Sequence, residues 1–267
     1  MLSPRIIPCL LISDGGLVKT QKFTSKKYVG DPINAIRIFN EKECDELMVL
    51  DIDSTTNDIK PNYEKIKKYA AECRMPLCYG GGIKTLEQAR AIIALGVEKI
   101  ALSSGVIGNL PLIENLASAL GTQSVVVVLD VKKDFFGRYK VYTHNGKQAT
   151  GLDLFTLVSK VQEYGAGEIV INSIDRDGMN EGYDFKLAKI IKKQVHVPLT
   201  FLGGAGSLDD IKKLTSENGI IGCAAGSLFV FKGIYRAVLI SYPDQLLRQK
   251  VLNVMLQART ITFFSVS

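Results

Sequence analysis

The chain has 267 residues, of which 46% are hydrophobic, enough to bury a large core as one α/β barrel or as two smaller domains. Its formal charge of +6 is mild and scattered; it suits small anionic substrates and, with no aromatic-interleaved basic patch, argues against nucleic acid. No apolar run approaches a membrane span and the N-terminus lacks a basic-then-apolar signal pattern, so a cytoplasmic protein with no membrane contact is expected.

Taken in order, the chain alternates strand and helix. Arg5 to Ile12 reads as strand one, followed by a loop rich in Gly, Lys and Ser. Asp31-Pro32 opens a helix, with Asp as N-cap and Pro at the first helical position. Glu46 to Asp51 is strand two, and Pro61 begins the next helix. Pro76 to Tyr79 leads into Gly80-Gly81-Gly82 as strand three, and Thr85 with Gln88 predicts a capping box. Lys99 to Ser103 is strand four, with Pro111 starting its helix. Strand five, Ser124 to Asp130, is β-branched and apolar up to its final carboxylate, a pattern of burial on both faces. An insertion from Lys132 to Thr150 follows, and its Asn145-Gly146 pair signals a hairpin turn. Strand six is Glu168 to Ile174, strand seven Pro198 to Gly203 and strand eight Ile220 to Ala225. Eight such units fit a TIM (β/α)8 barrel over residues 1–243, with its site on the loops after the strands. Residues 244–267 read as a C-terminal extension, weakly amphipathic from Leu246 to Leu256.

Internal repetition locates that site. Gly80-Gly81-Gly82 is followed by Ser103-Ser104-Gly105, and Gly203-Gly204-Ala205-Gly206 by Ala225-Gly226-Ser227, so that 24 residues separate Gly80 from Ser104 and Gly203 from Ser227 alike. Asp51-Ile52-Asp53 recurs as Asp175-Arg176-Asp177, and the whole reads as two similar half-barrels. A Gly turn lets backbone N–H groups approach an anion, and a helix start behind it adds favourable dipole. Two matched copies imply a substrate with a phosphate at each end, one at Gly82 with Ser103 and Ser104, the other at Gly204 with Gly226 and Ser227. The five cysteines and the two histidines, His144 and His196, show no metal-ligand spacing; reduced thiols, no metal and no cofactor are expected.

These residues make the chain resemble the cyclase subunit of imidazole glycerol phosphate synthase, the HisF family. The matching stretches include Arg5 to Leu10, Asp14-Gly15 with Lys19, Gly80 to Ile83, Val125 to Asp130, Gly165 to Glu168, Ser173 to Gly178, Gly182 to Asp184 and Gly203 to Gly206. The resemblance implies a barrel of two half-barrel repeats that takes ammonia from a class I glutaminase (HisH-like) at its base. It implies a lyase that cleaves and cyclises a bis-phosphorylated ribotide of histidine biosynthesis. Lys19, Asp177 and Gly178 match family positions at the phosphorylated substrate. Arg5, Glu46, Lys99 and Glu168 match its ring of charges at the ammonia entrance, and Glu98 keeps the acidic character of its docking position.

One departure bears on chemistry. The family uses two aspartates at the ends of strands one and five; Asp130 matches the second, but the first position is Leu11. Leucine moves no proton, and one general acid or base is typically worth 10²–10⁴-fold in rate. The family also has Asn-Thr where this chain has Ser103-Ser104, and usually Thr where it has Asp53, which would add negative charge at the mouth. The reading favoured is a paralogue that feeds glutaminase-derived ammonia to another acceptor, such as an acetamido sugar of a surface polysaccharide. The alternatives are the histidine-pathway cyclase itself and a non-catalytic activator of its glutaminase.

Overall fold

In the computed structural model, which describes residues 3–252, eight parallel strands close into a barrel. In chain order the strands of its sheet are β1 (Arg5–Ser13), β2 (Gly16–Gln21), β3 (Thr24–Gly30), β4 (Leu47–Asp51), β5 (Leu77–Gly80), β6 (Lys99–Leu102), β7 (Val125–Lys133), β8 (Tyr139–Thr143), β9 (Gln148–Asp153), β10 (Glu168–Ser173), β11 (Leu199–Leu202) and β12 (Gly222–Ala225). The barrel runs β1-β4-β5-β6-β7-β10-β11-β12 and shuts where Arg5 to Pro8 pair with Gly222 to Ala225. A TIM barrel is the architecture expected from the alternation of elements.

Period-two alternation sorts each barrel strand into an outward set packed under the helices and an inward set. Ile7, Cys9, Met48, Cys78, Val126, Val128 and Val170 fill the interior as a cluster of their own, with Leu11 and Leu50 on its upper edge. Outside, helices such as Pro32–Glu41 and Leu86–Ala94 bury one face each. Asp31 caps the first by accepting from the Asn34 N–H, and Thr85 with Gln88 completes the anticipated capping box on the second.

Three local expectations need correction. The loop after strand one is the hairpin β2–β3: β1 outruns β12, whose pairing stops at Pro8–Ala225, and β2 covers the free edge from Leu11 to Ser13. The helix expected to begin at Pro61 begins at Tyr63, because the Asn62 side chain takes the Lys65 N–H as N-cap. The insertion is wider than the one hairpin expected of it: β7 continues past Asp130, β8 pairs antiparallel with β7, and β9 pairs antiparallel with β8. Its turn does fall at Asn145-Gly146, where both residues have positive φ (55° and 73°). Helix Gln245–Leu252 lies within the segment read as an extension; it packs beside helix Leu208–Asn218, buries Val251 and pairs Arg248 with Asp45. The remainder of that segment lies outside the described residues.

Candidate functional site

The inward register of each strand can be followed from base to mouth. On β1 it reads Arg5, Ile7, Cys9, Leu11; on β7 it ends at Asp130; on β10 it reads Glu168, Val170, Asn172. The base is therefore charged, the middle apolar, and the mouth mixed.

At the base, Arg5, Glu46, Lys99 and Glu168 form a closed ring. Lys99 Nζ donates to Glu46 and Glu168, 2.9 Å to each; Arg5 Nη2 donates to Glu168 Oε1 at 2.8 Å, and Arg5 also pairs with Glu46. Thr200 Oγ1 adds a 2.6 Å bond to Glu168, fitting where Gly222 has no Cβ. Both carboxylates are almost wholly buried while both cations keep some exposure. Burial alone would push Glu168 up, but Arg5, Lys99 and Thr200 hold its pKa below the usual carboxylate value. The same carboxylates hold Lys99 above the usual ammonium value, against the effect of its burial. Two cations and two anions cancel here, and the apolar interior above them admits a small neutral molecule far more readily than an ion.

At the mouth a single cavity encloses about 1260 Å³, counting its open top. Asp130 and Leu11 both line it, as their shared place in the half-barrel repeat required. β1 and β7 stand opposite one another in the strand order, so the two side chains face across the cavity floor. Registers extend the contrast. Asp130 sits beside Asn172, whose Nδ2 donates to Oδ1 at 2.9 Å, whereas Leu11 sits beside Leu50. One half of the floor is a hydrogen-bonded polar pair and the other is two leucines. Burial pushes the Asp130 carboxyl up to about 7, against the Asn172 bond and with help from the charge of Asp177. Asp130 is thus poised to take or give a proton near neutral pH, and no second carboxylate faces it from β1.

Both glycine turns lie on this cavity. Gly82 has φ +70° and its missing Cβ leaves room for the Ile59 carbonyl, 2.6 Å away from where a Cβ would stand. The Ser103 hydroxyl beside it is buried and has no hydrogen-bond partner, while Ser104 Oγ accepts from the His144 N–H at 3.2 Å. Across the mouth, Gly204 has φ +107° and packs on the Gly182 carbonyl. Lys19 Nζ lies over Gly226, 2.5 Å from where a Cβ would stand, and donates to the Cys9 carbonyl. Lys19 is buried, which lowers its pKa despite the nearby Asp177. Asp177 accepts from Thr20 Oγ1 at 2.6 Å and from the Phe23 N–H at 3.2 Å; burial nevertheless raises its pKa. Gly178 and Ser227 complete the second cluster.

Sequence reasoning missed three residues here. Arg236 reaches from the small hairpin Phe231–Lys232/Ala237–Val238 to bond the Gly178 carbonyl at 3.2 Å and Ser227 Oγ at 3.4 Å. Asn172 becomes visible only through the β7–β10 register. Lys26, on β3, bonds Asp53 Oδ1 at 2.7 Å and Ser13 Oγ at 2.8 Å. Asp53 therefore brings no free negative charge to the mouth: although partial burial pushes it up, Lys26, Ser13 and the Asp14 N–H hold its carboxyl below the ordinary value. No cluster of three or more metal-ligating side chains occurs among the described residues, and none of their helices is long and apolar enough to cross a membrane.

The chain is similar to known proteins along most of its length. Residues 5–235 match the family model described as "Histidine biosynthesis protein". A relative from Leptospira borgpetersenii, named "Putative imidazole glycerol phosphate synthase subunit HisF", is 58% identical over 91% of this chain and 96% of its own length. One of the same name from Leptospira interrogans is 56% identical over 92% and 97%. The "Imidazole glycerol phosphate synthase subunit HisF" of Alkaliphilus metalliredigens (strain QYMF) is 37% identical over 88% and 93%.

Proposed function

The chain belongs to the histidine biosynthesis protein family as a HisF-type subunit, and from that premise we propose that it passes glutaminase-derived ammonia to an acceptor other than the histidine-pathway ribotide. The observation that carries the reading is the split floor: Leu11 and Leu50 on one side, Asp130 and Asn172 on the other, above an intact ring of Arg5, Glu46, Lys99 and Glu168. Machinery for admitting ammonia is kept where machinery for paired proton transfer is not. A class I glutaminase docks at the ringed base, and neutral ammonia crosses the apolar interior to the mouth.

In the cavity the acceptor's anionic groups are held by the two glycine turns, with the free Ser103 hydroxyl at the first and Lys19, Ser227 and Arg236 at the second. Asp130, with its pKa near 7, takes a proton from the attacking nitrogen. One titrating group suffices for ammonia to add to an amide carbon whose oxygen has already been activated as a leaving group, as in converting an acetamido sugar of a surface polysaccharide to its acetamidino form. Closing an imidazole ring with cleavage of the ribotide asks for an acid and a base together.

The test is turnover of the ribotide at saturating ammonium. Wild type should be slow, and Leu11→Asp should raise the rate on the order of 10²-fold by restoring the missing partner. Wild-type turnover equal to that of relatives with aspartate at this position would return the chain to the histidine pathway.

A further inference from the structure

Three hairpins rise from the barrel at its mouth, and their tips carry large apolar side chains in water. The turn between β7 and β8 exposes Phe135 (98%) and Phe136 (78%), and the hairpin after β12 exposes Ile234 (87%) and Tyr235 (89%). β3 adds Tyr28, and its hairpin abuts the last one where Lys27 Nζ meets the Arg236 carbonyl at 3.2 Å. β7 and β12 are separated by β10 and β11 on one side and by four strands on the other, so the two tips flank the opening. Isolated exposed apolar residues need no explanation, but adjacent pairs raised on separate projections around one cavity do.

The charges around these tips are basic in balance, although Lys26, Lys133 and Arg138 are paired with Asp53, Asp184 and Asp134 and Lys19 is buried in the cavity. Residues 16–30 hold four lysines and residues 231–239 hold Lys232 and Arg236, with no acidic residue in either stretch. Residues 132–153 hold five basic residues against Asp134 and Asp153. Aromatic residues amid basic ones also suit RNA, but these tips offer no row of parallel ring faces on which successive bases would stack. Phe135 and Phe136 pack edge to face at 86°, the Arg138 guanidinium covers Phe136 at 5.1 Å, and the other tip presents Ile234.

We infer that the mouth hairpins form a docking surface for a partner protein with an acidic face that seats Phe135-Phe136 and Ile234-Tyr235 and delivers the acceptor into the cavity. The inference rests on the ammonia-transfer reading and supplies what that reading lacks. An amide oxygen leaves only after activation, by transfer of a phosphoryl or nucleotidyl group from a nucleoside triphosphate. Ammonia then adds to the activated carbon, the nitrogen loses a proton to Asp130, and the oxygen departs with the transferred group. The partner is accordingly an enzyme that uses a nucleoside triphosphate on an amide, docked opposite the glutaminase. Aromatic anchors ringed by complementary charge are the usual energetic centre of such an interface.

Replacing Phe135 or Tyr235 by benzoylphenylalanine in the full chain, in the cells that make it, allows photocrosslinking. Both positions should trap one and the same protein, distinct from the glutaminase. Once purified, that protein should bind the chain–glutaminase complex, and its Kd should rise about tenfold or more for Phe135→Ser/Phe136→Ser and for Ile234→Ser/Tyr235→Ser. Binding should also weaken as salt rises from about 0.05 to 0.5 M. Unchanged glutamine hydrolysis in the complex of either variant controls for folding. Crosslinks only to a second copy of this chain, to RNA or to nothing, or an unchanged Kd, overturn the surface. Amide-¹⁵N glutamine keeps the two ideas apart. Label reaching an acetamido sugar with nucleoside triphosphate and the two subunits alone removes the partner but keeps the ammonia transfer; label reaching no acceptor removes both.

Discussion

Asp130 is the residue on which folding and chemistry pull hardest against each other. Burial holds its carboxyl protonated up to about pH 7 in the folded chain, against about 4 when unfolded. Between those values the folded state keeps a proton that the unfolded state releases, so stability falls as pH rises through this window, and the loss is complete above about pH 7. Asp130→Asn should leave stability unchanged at pH 4 and raise it at pH 8. The gain should be at most a few kcal/mol, because the carboxyl faces the open mouth cavity, and urea unfolding at the two pH values measures it. Ammonia transfer should rise through about pH 7 in the wild type and be lost in the variant. Leu11 is the converse case, a side chain content in its apolar surroundings and unable to act. Both were legible from their place at strand ends. Asn172 and Arg236 were not, since one depends on a strand register and the other on a return of the chain from a distant hairpin.

The elements divide into those whose local sequence decides them and those decided by their neighbours. Asp31-Pro32 and Thr85/Gln88 announce helix starts through hydrogen bonds that close within one turn, and both form as read. The hairpin β2–β3 was hidden because its composition is that of a loop; what makes it a hairpin is the bare edge of β1 beyond Pro8. Its tie to the next loop is the Lys26–Asp53 pair. Asp53→Thr should cost little stability, under about 1 kcal/mol, because Lys26 is half exposed. Amide exchange in residues 16–30 should nevertheless quicken, as read by mass spectrometry. The basal ring is a different matter, being nearly buried. Arg5→Ala should cost on the order of 1–3 kcal/mol in chemical unfolding, because it leaves Lys99 as the one cation among the described residues that faces the buried Glu46 and Glu168 carboxylates. Glu168, whose pKa is held low, contributes stability above the unfolded carboxylate range that is lost as pH falls through its folded value; Glu168→Gln should flatten that acid limb.

At the scale of the whole molecule, the eight βα units and the two half-barrels were readable from period-two strands and from glycine turns repeated at matched spacing. The base ring was suggested only by the resemblance to the HisF family, because a charged residue one step before an apolar strand is by itself an ordinary solvated strand end. The cavity's full composition was not readable, because the β2–β3 hairpin and the β8–β9 turn add Thr20, Phe23, Lys26 and Asn145 to the strand-end turns. That assembly gives the molecule two unlike ends joined by an apolar interior, with charges cancelled below and a wide, basic, apolar-tipped mouth above. The direction of flow we propose is ammonia in at the ring and acceptor in at the mouth. The most direct test follows the nitrogen itself. With amide-¹⁵N glutamine, the glutaminase subunit and both candidate acceptors present, the account predicts label in an acetamidino nitrogen and little in imidazole glycerol phosphate. Label entering the imidazole ring at the rate of a HisF with aspartate in place of Leu11 would contradict it.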